Sequence, residues 1–152
     1  MVDRAAVGRR SARIGYAAEA AVVKVLHAHG FPHAERRRVK RHDALDIIAS
    51  PGVIVSVKGG AYARTASLGA ISGWQAEADA KRKAHGADVA LLVVQRDRYG
   101  MERADHWRCW VIGLDDDDPQ GRYPLLNHFE AQLATALKWL RAHGHGSPLE
   151  ES

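Results

Sequence analysis

The run VALLVV, residues 89–94, constrains the fold more than any other stretch of this chain. It is too short to be a helix of its own, and it offers no polar face to water. A strand buried on both sides uses such a run, and such strands sit at the centre of sheets covered by helices. A helical pattern precedes it over residues 70–85, with Ile71, Trp74 and Ala78 on one face and Gly86 as the stop. A helix that crosses over into a central strand implies a mixed sheet carrying helices.

The upstream elements fit that sheet. Residues 53–58 (VIVSVK) are β-branched and alternate, and residues 45–49 form a short apolar run. Pro51-Gly52 between them is a turn signal, so the two are expected to pair as a hairpin. Residues 34–41 are charged and read as an edge strand with its arginines facing out. Residues 15–29 read as a helix, because Ile14, Ala18, Val22, Val25 and Leu26 recur at three- and four-residue steps. Gly30 ends it and Pro32 prevents its resumption. Residues 4–13 are a basic arm or the first turns of that helix. Downstream, 59–69 and 96–105 read as loops, 107–112 as a strand and 115–121 as an acidic loop. Residues 126–142 read as an amphipathic helix carrying Leu126, Phe129, Leu133, Leu137 and Leu140 on one side. The expected class is α/β, in the order α-β-β-β-α-β followed by β-α. The 152 residues fit one domain, expected over 1–142 with a basic arm at 1–13 and a flexible tail at 143–152.

Several function classes are excluded at this level. No run approaches the about 18 apolar residues of a membrane span, so no membrane partner is expected. Residues 1–13 lack the apolar stretch of a secretory signal. The single cysteine, Cys109, has no partner for an internal disulfide, and a cytoplasmic location is expected. No CxxC pair exists, and His27 and His29 stand two apart on a helix and so diverge; a structural zinc site is not expected. The four tryptophans, Trp74, Trp107, Trp110 and Trp139, occupy core-like positions. Asp115 to Asp118 read as a solvated loop. Charge is more telling by distribution than by total. Residues 1–41 hold ten Lys/Arg against three acidic residues, while the remainder holds twelve against fifteen. A basic N-terminal third points to a polyanion such as nucleic acid, or to a merely solubilising surface.

Within this frame, one pairing carries chemistry. Asp46 opens the second strand and Lys58 closes the third, with Ser56 on the same face as Lys58. A hairpin would bring the carboxylate and the ammonium to one end of the sheet. Phosphodiester hydrolysis uses such a pair: the carboxylate holds a divalent metal that activates water, and the lysine orients that water and stabilises the transition state. Taken singly, each residue also has an ordinary role. Asp46 can cap a turn, Lys58 can guard a strand edge, Glu19 can be a solvated helix residue, and Glu77 can pair with Lys81 one turn on.

The order α-β-β-β-α-β, together with LDIIASPGVIVSVKGG, resembles the PD-(D/E)xK nuclease superfamily. The first helix, with Gly15, Glu19, Gly30-Phe31 and Arg36 after it, is similar to archaeal-type Holliday junction resolvases and related resolvases of actinobacterial phages. So is the segment WQAEADAKRKAHGADVALLVVQR. The resemblance covers roughly residues 12–112 and implies a restriction-endonuclease-like fold. It also implies a Mg²⁺-dependent endonuclease (Mn²⁺ as a substitute), branched DNA as substrate, and a homodimer. The site it implies comprises Asp46, Lys58, Glu77 and Glu19, with Asp46, the Val57 carbonyl, Glu77 and Glu19 around the metal. Arg9, Arg10, Arg13, Arg36, Arg37 and Arg38 are the expected phosphate contacts, and Ser56 at most hydrogen-bonds a water or Lys58.

Ser56 departs from the pattern, which calls for Glu or Asp there. Three readings remain open. The carboxylate has moved to the following helix, at Glu77; or Asp46 and Glu19 suffice with the Val57 carbonyl and waters; or the site is impaired. The corresponding functions are a junction resolvase, another restriction- or repair-type nuclease of the superfamily, or a DNA-binding domain that has lost catalysis.

Overall fold

A computed structural model describes residues 4–38, 45–113 and 129–147. The sheet has six strands in the spatial order of the chain: β1 (Glu35–Arg38), β2 (Leu45–Ser50), β3 (Val53–Lys58), β4 (Val89–Val94), β5 (Arg108–Ile112) and β6 (Phe129–Gln132). All neighbours are antiparallel except β3 and β4, which run parallel from Val53↔Val89 to Lys58↔Val94. The parallel step requires a crossover, supplied by α2 (Ala61–Arg64) and α3 (Leu68–His85). Helix α1 (Arg4–Ala28) precedes the sheet and α4 (Leu133–Ala142) closes the described chain.

The expectation for VALLVV holds: every residue of β4 is buried. Val89, Leu91 and Val93 join Ala18, Val22 and Leu26 of α1 and Leu133, Leu137 and Leu140 of α4 in one core layer. Ala90, Leu92 and Val94 join Ile71 and Ala78 of α3 in the other. The strand is apolar on both faces because helices cover both. Trp107 and Trp110 are buried, whereas Trp74 and Trp139 are only partly so.

Five segments differ from the sequence expectation or sharpen it. Residues 4–13 continue α1 without a break. The segment 59–69 contains the short helix α2, and the charged loop after β4 contains a 3₁₀ turn, Met101–His106. The long C-terminal helix is shorter than expected, because residues 129–132 form β6 and the helix begins only at Leu133. The physical reason is the exposed edge of β5, an apolar strand that gains a ladder from Cys109↔Ala131 and Trp110↔Glu130 and an ion pair from Arg108 to Glu130 at 2.6 Å. Residues 143–147, expected to fray, carry backbone hydrogen bonds: His145 N–H to Leu140 O at 3.0 Å and Ser147 N–H to Gly30 O at 2.7 Å. The expectations placed on residues 1–3, on 39–41 of the edge strand, on the acidic loop 115–121, on Leu126 and on 148–152 lie outside the described residues. Among the described residues, no helix is long and apolar enough to cross a membrane.

Candidate active site at the fork between β2 and β3

The described β2–β3 pairs run from Ser50↔Val53 to Ile47↔Val55. Asp46 and Leu45 pair on the other side, with Arg37 and Arg38 of β1. Strand β3 meanwhile continues along β4 through Ser56, Val57 and Lys58. The two strands thus open into a fork at the end of β3. A cleft of about 110 Å³ occupies it, lined by Glu19, Ser56, Val57, Lys58 and Lys81 together with the apolar Ile47 and Val55.

Each polar wall has a local cause. Val55 belongs to the core layer under α1, so strand alternation sends Ser56 and Lys58 to the α3 side. There the Lys58 Nζ lies 3.4 Å from Glu77 Oε1 and 5.7 Å from the centroid of the Trp74 ring. Lys81, one helical turn beyond Glu77, reaches the same carboxylate oxygen at 3.7 Å. Glu77 therefore sits between two ammonium groups while remaining about half exposed, at 49%. From the opposite face, α1 delivers Glu19, which accepts a hydrogen bond from Arg36 Nε of β1 at 2.5 Å. The Arg36 guanidinium in turn covers the Tyr16 ring at 4.5 Å.

The glycine pair after Lys58 also has a cause. A Cβ on Gly59 would stand 2.5 Å from the Ala18 Cβ, so only glycine lets β3 pass this close to α1. Gly60 follows at φ 94°, the left-handed region. Its N–H donates to Gln95 Oε1 at 2.8 Å, and the Gln95 N–H donates to Lys58 O at 2.8 Å. Gln95, buried at the end of β4, thus clamps the turn that carries Lys58.

The structure brings together Glu19, Val57, Lys58 and Ser56 at the cleft, with Glu77 on the outer side of Lys58. Asp46 occupies its expected strand, while its side chain, like that of Arg38, lies outside the described residues. Arg9, Arg10 and Arg13 are exposed along α1. Arg37 pairs with Glu35 at the exposed edge of β1. Two residues that sequence reasoning left out of the site are Lys81 and Gln95. Lys81 was legible only as the i+4 partner of Glu77. An amide directly after an apolar central strand was the signal for Gln95.

The donors at the cleft are carboxylate, hydroxyl and peptide oxygens, the types a hard cation such as Mg²⁺ takes. Consecutive carbonyls of a strand point to opposite neighbours, and Lys58 O accepts from Gln95 on the β4 side. Val57 O is therefore directed toward the β2 side. By number the donors fall short: among the described residues, no group of three or more His, Cys, Asp or Glu could hold a metal. Glu19 and Glu77 are both engaged by cations. Cys109 plays no part, since burial pushes its thiol well above the usual range and keeps it protonated. No protein family, curated protein or solved structure matches this chain.

Proposed function

We propose that the chain is a metal-dependent DNA endonuclease of restriction-endonuclease-like fold, acting on branched DNA as a Holliday junction resolvase. The observation that carries this reading is the cleft at the β2–β3 fork, which Glu19 from α1 and Lys58 from β3 both line, beside the strand that bears Asp46. Asp46 and Glu19, with Val57 O, would hold Mg²⁺, which when bound supplies charge neutralisation at the phosphate and an activated water. Lys58 donates to the attacking oxygen and orients it, and Lys81 adds a second positive charge at the same wall. Arg9, Arg10 and Arg13 on the exposed side of α1 hold phosphates without reading bases, so affinity falls steeply with salt. Cutting two opposed strands of a junction takes two clefts, hence a two-fold dimer. The lone, buried Cys109 is compatible with a cytoplasmic setting.

The test is cleavage of a four-way junction and of a plain duplex with the same arm sequences, in Mg²⁺ or Mn²⁺, by the unaltered protein and by Asp46→Asn. Junction cleavage that Asp46→Asn abolishes while DNA binding persists is the expected result. Equal rates in the two proteins would remove Asp46 from the mechanism. Preferential cutting of plain duplex would point instead to a restriction- or repair-type enzyme of the same superfamily.

A second reading, a DNA-binding domain without catalysis, is favoured by Ser56 at the position where an acid is expected and by the cationic partners of both Glu19 and Glu77. An inactive unaltered protein whose cleavage is gained by Ser56→Glu would select it.

A further inference from the structure

Tyr62 is the second most exposed large hydrophobic residue among those described, at 71%, and it stands next to the cleft. It sits on α2, two residues after the Gly59-Gly60 turn that follows Lys58. Its ring meets the Trp74 ring edge-on, with centroids 5.8 Å apart and planes at 79°. The Trp74 ring in turn lies under the Lys58 ammonium at 5.7 Å. Lys58, Trp74 and Tyr62 therefore form one continuous surface leading out from the cleft.

At 71% exposure Tyr62 presents an open aromatic surface to solvent beside Trp74. Aromatic faces set among cations are what a nucleic-acid strand uses: its bases stack on the rings and its phosphates meet the charges. A base inside a duplex has both faces taken by its neighbours. Only an unpaired or splayed base can present a face to Tyr62.

Resting on the nucleic-acid reading above, we propose that Tyr62, held edge-on against Trp74, forms a stacking platform for an unpaired base adjacent to the cleft. The DNA this site prefers is then single-stranded or open at the point of binding, as at the branch of a junction or the base of a flap.

The experiment compares a short single strand carrying the fluorescent base 2-aminopurine with the blunt duplex of the same sequence, at low salt and without divalent metal. Binding is read by anisotropy and stacking by quenching of the 2-aminopurine. The expected result is tighter binding of the single strand with quenching. Tyr62→Leu should weaken single-strand binding about tenfold, within the range for loss of one stacked base, and abolish the quenching. Tyr62→Phe should keep both, and duplex binding should be unchanged throughout. Equal binding of the two DNAs, or a Tyr62→Leu variant that binds and quenches normally, overturns the platform and leaves the nucleic-acid reading standing. No binding of either DNA overturns both.

Discussion

The ammonium of Lys58, at the end of β3, and the carboxylate of Glu77, within α3, meet at 3.4 Å across the crossover that joins β3 to β4. The same carboxylate oxygen is 3.7 Å from Lys81. The Glu77 carboxylate therefore stands against both lysines at the wall of the cleft. In this position Glu77 acts first as a counter-ion to the two lysines, and any ligand phosphate must compete with it. A phosphate that displaces Glu77 gains both lysines and releases the carboxylate to solvent, which its half exposure permits.

Glu77→Gln should accordingly strengthen DNA binding in the absence of divalent metal. Exposed pairs of this kind are worth about 0.5–1 kcal/mol, so the gain should be about two- to fivefold at low salt and should fade as salt rises. Titrations of the two proteins across a salt series measure it. Weaker binding by Glu77→Gln at every salt concentration would show that Glu77 is not in competition with phosphate.

How much of this was legible beforehand depended on the range of the interaction. Burial on both faces is written locally into residues 89–94, and alternation is written into 53–58, so β4, β3 and the sides taken by Ser56 and Lys58 could be read directly. The Glu77–Lys81 pair is likewise a local helix spacing. The contact of Glu19 with Arg36 is not, since it exists only because α1 crosses the sheet at β1. Strand β6 was hidden for another reason. Phe129, Leu133 and Leu137 keep four-residue spacing straight through the strand–helix junction, so the pattern reads as helix, and only the unfilled edge of β5 decides otherwise. The role of Gly59 was similarly invisible: glycine in a sequence suggests a turn, whereas here it marks contact with Ala18.

Gly59→Ala is therefore predicted to cost stability through α1 rather than through the turn. The added methyl would sit 2.5 Å from the Ala18 Cβ, and neither backbone has a flexible side chain to yield. Overpacking of this kind costs about 1–3 kcal/mol. The midpoint of urea unfolding should fall with an unchanged slope. Because the helix that must shift carries Glu19, the proposed nuclease activity should fall further than the loss of folded protein explains. An unaltered unfolding midpoint would show that β3 and α1 are less tightly apposed.

Gln95→Leu tests the clamp on the Lys58 turn. The leucine keeps the volume but removes the acceptor for the Gly60 N–H. Tyr99 O loses the Gln95 amide yet keeps the Trp107 indole N–H at 3.0 Å, so the orphaned group is the Gly60 amide. Gly60 is partly buried, so the orphaned donor costs toward the lower end of the range for an unsatisfied buried group, about 1 kcal/mol. Hydrogen exchange at Gly60 should accelerate more than exchange in β4, which is held by its own ladder. Uniform acceleration at both sites would mean that Gln95 supports the whole sheet and not the turn.

An acid-sensitive contact lies toward the far end of α3. Burial alone would raise the Asp79 carboxyl, but hydrogen bonds from Arg82 and Lys83, with their charges, outweigh it and hold the group below its ordinary value. Arg82 is itself buried and lies 3.0 Å from Asp79, with its side chain against the position a Cβ of Gly113 would take. Asp79 thus anchors the cation that ties α3 to the end of β5. The sign follows from the lowered folded value. Above the unfolded carboxyl's range both states are ionised, and the contribution is complete. As pH falls through that range the unfolded chain takes up its proton first, and stability is lost until the folded group also protonates. Thermal midpoints of the unaltered protein should thus decline from about pH 5 downward. Asp79→Asn should start lower at neutral pH and decline less, so that the two curves converge in acid. Parallel curves would assign the acid sensitivity to other carboxylates.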